Sequence, residues 1–323
     1  MWGQDGMTMA WLLAALGLVI LLLAGDALVK GAVNLSLRLG VPAMIVSLTI
    51  VAFGTSAPEL LIAISAVLED APGIAIGNVV GSNTANILLV LGVPALLVPL
   101  STSQCETKKN YRYMILGTLL FMAIAAFQPI TWIHGLVLLG ALSFVLLQSA
   151  RDARGHRRKC AEENALEEIE EADPEMSWFL IGFYILLGMI GLPLGADLLV
   201  DSSVEIARKF HVSDTVIGLT LVAIGTSLPE LATTVMAALR KQADVALGNV
   251  IGSNMFNLLA IIGVASLVGP IPVAKSIMTF DIWIMLGASA LLIPFVYFRQ
   301  DLGRIWGALF CALYAGYIFV VIS

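Results

Sequence analysis

Charge is what this sequence has least of. Of its 323 residues, 12% are Asp, Glu, Lys or Arg and 59% are hydrophobic, whereas a soluble domain carries about a quarter charged residues. Mean hydropathy is +0.96, so water is not the chain's solvent. Disordered segments are poor in apolar residues, which excludes that class. Three cysteines cannot staple a disulfide scaffold. A net charge of −6 with no broad basic face argues against nucleic acid as a partner. No basic region precedes the first apolar run, which starts near Met9. That run is too long for a signal peptide and reads as a retained span. What remains is an all-α polytopic membrane protein, with lipid as a partner. At about 20 residues per spanning helix, the length holds up to ten.

Ten apolar segments are present, over about 9–37, 41–68, 72–100, 111–128, 130–149, 177–207, 212–239, 243–270, 280–298 and 303–322. A polar stretch, 151–176, separates the first five (1–150) from the last five (177–323). It begins basic, from Arg151 to Lys159, and turns acidic over Glu162–Glu175. With both termini outside, fourteen of the seventeen Lys and Arg fall on the cytoplasmic side, leaving Arg208, Lys209 and Lys275 outside. The positive-inside rule selects that orientation and a cytoplasmic central loop. Cys105 and Cys160 then face a reducing compartment, Cys311 lies in a span, and no disulfide is expected.

The two halves match at a constant offset of 171 residues. GTSAPEL (54–60) returns as GTSLPEL (225–231), and GNVVGSNTAN (77–86) as GNVIGSNMFN (248–257). Asp26 falls on Asp197. Five spans per half is an odd number, so the second half enters from the opposite side. The charges agree: Glu69 and Asp70 follow the second segment, and Arg240 and Lys241 take the same places in the repeat. Inverted repeats with helices broken near the midplane are a transporter architecture.

The repeated motifs supply the chemistry. Pro58 lacks an N–H and breaks its helix, which predicts freed carbonyls around Ala52 and Thr55; Pro229 does the same beside Ala223 and Thr226. Irregular backbone at that depth is tolerated only where it lines a cavity or meets a ligand. Glu59 and Glu230 follow, each costing about 2.5–3.5 kcal/mol on insertion scales. Ser82 and Asn86 share a helix face at i and i+4, as do Ser253 and Asn257. Gly77 with Gly81 and Gly248 with Gly252 are spaced for close helix contact. Adding the hydroxyls of Thr55, Ser56, Thr226 and Ser227, every donor is a hard oxygen. No Cys or His joins them, which disfavours zinc, copper and iron–sulfur chemistry. Ca²⁺ takes about 6–8 oxygens in flexible geometry, and two carboxylates match its charge. Na⁺ also takes oxygen ligands.

GTSAPEL with GNVVGSN, duplicated as GTSLPEL with GNVIGSN, resembles the two alpha repeats of the calcium/cation antiporter superfamily, and within it the prokaryotic type of sodium/calcium exchanger. The resemblance implies an antiporter in the plasma (inner) membrane that exchanges Ca²⁺ for Na⁺ by alternating access, and no enzyme. It implies a central Ca²⁺ bridged by Glu59 and Glu230, with the carbonyls of Thr55 and Thr226 as further ligands. Sodium sites would use Ser56, Ser227, Ser82, Ser253 and the carbonyls of Ala52 and Ala223, with Asn86 and Asn257 beside the carboxylates. The first and sixth spans would slide against the rest. About three Na⁺ per Ca²⁺ would make each cycle voltage-dependent. Transported ions, not a cofactor, would occupy the site. Potassium-dependent relatives carry Asp at the place of Asn257. The proton-coupled branch has Glu at the places of Gly81 and Gly252.

Other readings stay open on the residues alone. Ca²⁺/H⁺ antiport would use the same two glutamates, since protonation discharges Ca²⁺ as Na⁺ does. Asn78, Asn83, Asn249 and Asn254 are either ligands or ties to the broken segments. Asp26 and Asp197 either lie on an ion path or pair with polar groups to hold the sliding helices, the structural reading being favoured, with Lys30 placed four residues on to pair with Asp26. The acidic stretch has no EF-hand pattern and reads as a solvated helix. His134, His156 and His211 stand apart from the motifs. An intramembrane hydrolase would need a nucleophile–base pair or metal motif, and no HExxH, motif-adjacent His or paired Asp is present.

Overall fold

The computed structural model describes residues 4–105, 107–127, 129–163, 173, 176–210 and 223–322. Most of the acidic stretch, the first half of the seventh segment and His211 lie outside the described residues, as do the side chains of His156, Cys160 and Arg208.

The described chain is helical apart from two isolated bridges. In order come α1 (Gln4–Leu39), α2 (Ala43–Thr55), α3 (Ala57–Leu68), α4 (Pro72–Leu97), α5 (Lys108–Ala126), α6 (Trp132–Glu163) and α7 (Trp178–Lys209). A single turn, Ala223–Gly225, precedes α8 (Leu228–Leu239), α9 (Ala243–Val268), α10 (Ile277–Tyr297) and α11 (Arg304–Ile322). Seven of these are long and apolar enough to cross a membrane, and the bent α2–α3 pair makes an eighth. Lys108, Lys109 and Arg112 open α5, and the seventh segment is described only from its second half. Helix α6 runs past Arg151, where the sequence predicts a loop, as far as Glu163. Arg, Lys, Ala and Glu are strong helix formers, so the helix outlasts its apolar part.

Helices α4 and α9 form the centre, with 78% and 83% of their apolar windows buried, against 17% for α11. The outer helices present Leu, Ile and Phe outward, as lipid-facing helices do. Helices α1 and α7 lie together through glycines. A Cβ on Gly17 would come 2.7 Å from the Leu199 amide nitrogen, and one on Gly188 2.9 Å from the Leu28 Cα. Those two contacts are one contact made twice, since both residues shift by 171.

Other contacts recur in the same way. Leu100 and Leu302 exchange two backbone hydrogen bonds, as do Ile130 and Ile271, an equivalent pair to within one residue. Both α3 and α8 end with a left-handed residue, Asp70 (φ 57°) and Lys241 (φ 55°). Behind them Ala71 N bonds to Ala66 O and Gln242 N to Ala237 O, each 2.8 Å. This closure satisfies carbonyls at a helix end, and Lys241 adopts it without glycine's freedom.

The likeness fails at one charged contact. Arg240 Nε donates to Asp26 Oδ1 at 2.6 Å, tying the end of α8 to α1. Lys30 does not pair with Asp26 as the spacing predicts. Its Nζ lies 4.8 Å from the centre of the Tyr184 ring and 3.4 Å from its hydroxyl. Tertiary approach of α8 supplies Asp26 with a bidentate-capable guanidinium, and that outweighs a local i,i+4 pair. The places equivalent to Arg240 and Asp26 are Glu69 and Asp197, both acidic. Coverage is uneven too: Ala232 on α8 is 7% exposed, and its equivalent on α3, Leu61, is 66% exposed.

Candidate ion-binding site

The break between α2 and α3 is a bend of 43°. Its hinge, Ser56, has φ −88° and ψ 5°, and Ser227 has φ −91° and ψ 4°. Those ψ values lie far from the α-helical −42°. Pro58 and Pro229 sit in the first turn of the helices that follow, where a missing N–H costs nothing.

The break lies slightly later than the sequence predicts. Ser56 N still bonds to Ala52 O at 3.0 Å, and the ladder resumes with Leu60 N to Ser56 O at 3.2 Å. The carbonyls that lose their following amide are those of Phe53, Gly54 and Thr55. Ala52 O is engaged, because it also accepts from Thr55 Oγ1 at 3.3 Å. In the second half Ser227 N tightens onto Ile224 O, and Leu231 N bonds to Ser227 O, both 3.0 Å. The backbone of Ala223 opens the short turn there.

Wide turns flank the break. Ser47–Val51 is π-helical just before it, and Phe256–Ile261 is π-helical in α9. In α4 the equivalent widening is Val90 N to Ala85 O, 2.9 Å. Asn86 and Asn257 each sit in such a turn. π-Bulges collect at functional sites because they re-aim side chains and suspend the i→i+4 ladder.

Both glutamates are enclosed. Glu59 is 1% exposed and Glu230 0%, and the bond from Ser56 sets Glu230 against the break that leads into Glu59. Glu230 Oε1 accepts from Ser56 Oγ at 3.0 Å and from Ser253 Oγ at 3.4 Å. Neither oxygen of Glu59 has a hydrogen-bond partner, nor do Glu230 Oε2, Ser82 Oγ, Asn86 Oδ1, Ser227 Oγ and both polar atoms of Asn257. Buried polar groups are nearly always partnered. Most of these partnerless atoms are hard oxygens, the donor type an oxygen-liking cation takes.

A second layer holds the donors in place. Thr55 Oγ1 reaches Ser253 Oγ and Asn249 Oδ1, each at 3.4 Å. The equivalent contact is Thr226 Oγ1 to Asn78 Oδ1, 3.3 Å. Asn249 Nδ2 reaches Glu230 O at 3.4 Å and Thr234 Oγ1 at 3.2 Å, and Thr234 Oγ1 donates to Glu230 O at 2.7 Å. Asn249 therefore ties down the broken segment. Sequence reasoning missed Thr234: it stands four residues after Glu230, where a hydroxyl bonds back to the helix, but its equivalent is Ala63 and the repeat gives no signal. Ser47 Oγ donates to Val245 O at 2.6 Å, clamping α2 onto α9. Among the described residues no His, Cys, Asp or Glu cluster of three or more forms a metal site. The two glutamates depend on neutral oxygens for the rest of any coordination shell.

The chain's likeness to known proteins is extensive. Residues 9–149 and 180–323 match the family described as "Sodium/calcium exchanger protein". Among curated relatives, the "Putative antiporter CaxA" of Alkalimonas amylolytica is 35% identical over 98% of this chain and 100% of its own length. The "Sodium/calcium exchanger MaX1" of Methanosarcina acetivorans is 32% identical over 97% of this chain and 99% of its own. Among solved structures, the sodium-calcium exchanger NCX_Mj soaked with 2.5 mM Na⁺ and 10 mM Sr²⁺ superposes with a TM-score of 0.81, at 34% identity, covering 97% of this chain and 99% of that one. The same exchanger soaked with zero Na⁺ and Ca²⁺ gives 0.78 at 33% identity, covering 98% and 99%. Matches of this length and identity define kinship across both halves, and the chain belongs to the sodium/calcium exchanger family of membrane ion antiporters.

Proposed function

We propose that the chain exchanges Ca²⁺ for Na⁺ across a prokaryotic inner membrane, with ten spans arranged as two inverted five-helix repeats. The observation that carries this reading is the burial of Glu59 and Glu230 together with the buried, partnerless oxygens of the same repeated motifs. One Ca²⁺ bridges the two carboxylates, assisted by the carbonyls of Thr55 and Thr226. Na⁺ ions take Ser56, Ser227, Ser82, Ser253 and the carbonyls of Ala52 and Ala223, with Asn86 and Asn257 alongside. At Ala52 the Thr55 hydroxyl gives way when an ion arrives.

Charge balance explains why exchange is coupled. Two bare carboxylates are costly to carry through a low-dielectric barrier. One Ca²⁺ or two Na⁺ neutralise them, and a third Na⁺ makes the cycle electrogenic. Only the loaded site reorients, so one ion's entry is tied to the other's exit.

Alternating access comes from α1 and α7, joined through their glycine contacts, sliding over the rest. With both termini outside, the Asp26–Arg240 pair lies on the cytoplasmic side. On that orientation, the covered α8 face and the exposed Leu61 of α3 support a site closed toward the cytoplasm.

The test is Ca²⁺ uptake into proteoliposomes loaded with Na⁺, in Na⁺-free outer buffer at clamped pH, with Glu59→Gln as control. Uptake that needs internal Na⁺ and vanishes in the variant is expected. Uptake driven instead by an acidic interior assigns Ca²⁺/H⁺ antiport to the same glutamates. No uptake with either gradient refutes the Ca²⁺ reading.

A further inference from the structure

The asparagines outside the ligand set form an ordered chain of their own. Asn83 Nδ2 donates to Asn254 O at 3.2 Å, and Asn254 Nδ2 donates to Asn83 O at 3.4 Å. Each side chain thus holds the other's backbone, and the pair crosses between α4 and α9 where both are fully enclosed. With its Nδ2 committed to Asn83 O, Asn254 has its Oδ1 turned the opposite way. That oxygen accepts from Asn86 Nδ2 at 3.1 Å.

A carboxamide has two polar ends of nearly equal shape and opposite sense. Left alone, Asn86 can present either N–H or oxygen to an ion. Fixing its nitrogen on Asn254 leaves one end free: Oδ1, buried and partnerless. The equivalent bond in the other half would run from Asn257 Nδ2 to Asn83 Oδ1. It is not made, and Asn257 Nδ2, Asn257 Oδ1 and Asn83 Oδ1 are all buried without partners.

We infer that Asn83 and Asn254 are positioning residues, which set the carboxamides of Asn257 and Asn86 so that oxygen, not N–H, meets the cation. This rests on the exchange function proposed above. In the present structure the Asn86 carboxamide is already set. The Asn257 carboxamide is set when an ion draws its Oδ1 inward and its Nδ2 closes onto Asn83. Asn254 touches no ion itself; its effect passes through Asn86.

A thermodynamic cycle separates positioning from structure. Ca²⁺ affinity is measured by calorimetry on the full-length protein in detergent for wild type, Asn254→Ala, Asn86→Ala and the double variant. Asn254→Ala is expected to weaken Ca²⁺ binding about ten-fold, the scale of one buried hydrogen bond. In the Asn86→Ala background the same change is expected to add less than about two-fold, because its route is already gone. Effects that multiply, or an Asn254→Ala protein that binds as wild type does, overturn the inference. The parallel cycle on Asn83 and Asn257 decides the matter if Asn254→Ala does not fold. Wild type and Glu59→Gln are run alongside. Wild-type binding that Glu59→Gln abolishes, with a multiplying cycle, refutes the positioning role alone. Absence of Ca²⁺ binding in wild type refutes the exchange reading and this inference with it.

Discussion

Replacing each buried carboxylate by its amide gives unequal results, although the residues are equivalent by repeat. A Ca²⁺ about 2.4 Å from a carboxylate oxygen gains about 14 kcal/mol of Coulomb energy at an effective dielectric of 20. Dehydration of both partners offsets most of it. Removing one member of a buried charge pair leaves a net loss of about 3–5 kcal/mol, so Glu59→Gln and Glu230→Gln each weaken Ca²⁺ binding by about two to three and a half decades. The ion-free proteins differ from each other. Glu59 stands with both oxygens partnerless, and an unsatisfied buried polar group costs about 1–3 kcal/mol, more when charged. Glutamine keeps its volume and discards the charge, so ion-free Glu59→Gln gains about 1 kcal/mol or more. Glu230 accepts from Ser56 and Ser253, and an amide oxygen keeps those bonds at about half their strength. Ion-free Glu230→Gln is therefore unchanged or slightly less stable. Thermal unfolding in chelator, read beside Ca²⁺ titrations, checks both halves of the argument. A rise of about 1.5 °C per kcal/mol gained is expected for Glu59→Gln and none for Glu230→Gln. Retention of Ca²⁺ affinity within about three-fold of wild type in Glu59→Gln, or equal melting shifts in the two variants, refutes the reasoning.

Gly252→Ala brings a Cβ to 2.5 Å from Leu48 O and 2.6 Å from the Ala52 Cβ; overpacking of about 1–3 kcal/mol is expected to lower the melting point. Gly316→Ala, with nothing within 4 Å, is the control, expected to raise stability slightly because alanine favours a helix interior. A double-mutant cycle on Asp26 and Arg240, whose side chains are 32% and 23% exposed, is expected to show about 0.5–1 kcal/mol of coupling in thermal unfolding. Asn257→Asp places a third, partnerless carboxylate at a site that is 0% exposed. It is expected to destabilise the ion-free protein by several kcal/mol and to enlarge the melting-point rise on adding Ca²⁺.

Much of this molecule is legible from residue order because lipid removes alternatives. Apolar runs in a bilayer must be helices, and the prolines of two duplicated motifs mark where helices stop. The gathering of Glu59, Glu230, Ser56 and Ser253 follows from the same duplication. What escapes is set by distant packing. Asp26 takes Arg240, 214 residues away, and ignores Lys30 one turn on. Ala52 keeps its ladder bond because the helix persists to Thr55 and bends only at Ser56. Hydrogen bonds of Asn83, Asn249 and Asn254 cross between helices, and a single sequence does not say which of two chemically similar amides is ligand and which is brace. Thr234 has no counterpart in the first half, so the repeat that revealed so much conceals it.

A dimer-like protein with identical halves would have no preference between facing one side of the membrane and facing the other, because exchanging the halves exchanges the states. Any bias must reside where the halves differ. Arg240 opposite Asp26, against Glu69 and Asp197 at the equivalent places, is such a difference: an attraction in one arrangement and like charges in its mirror. In the alternating-access cycle proposed above, a pair contributing about 1 kcal/mol would set a resting ratio of about five to one between the two states. On the proposed exchange cycle, divergence between the halves, elsewhere a blurring of the repeat, is what would give the molecule a direction in which to wait.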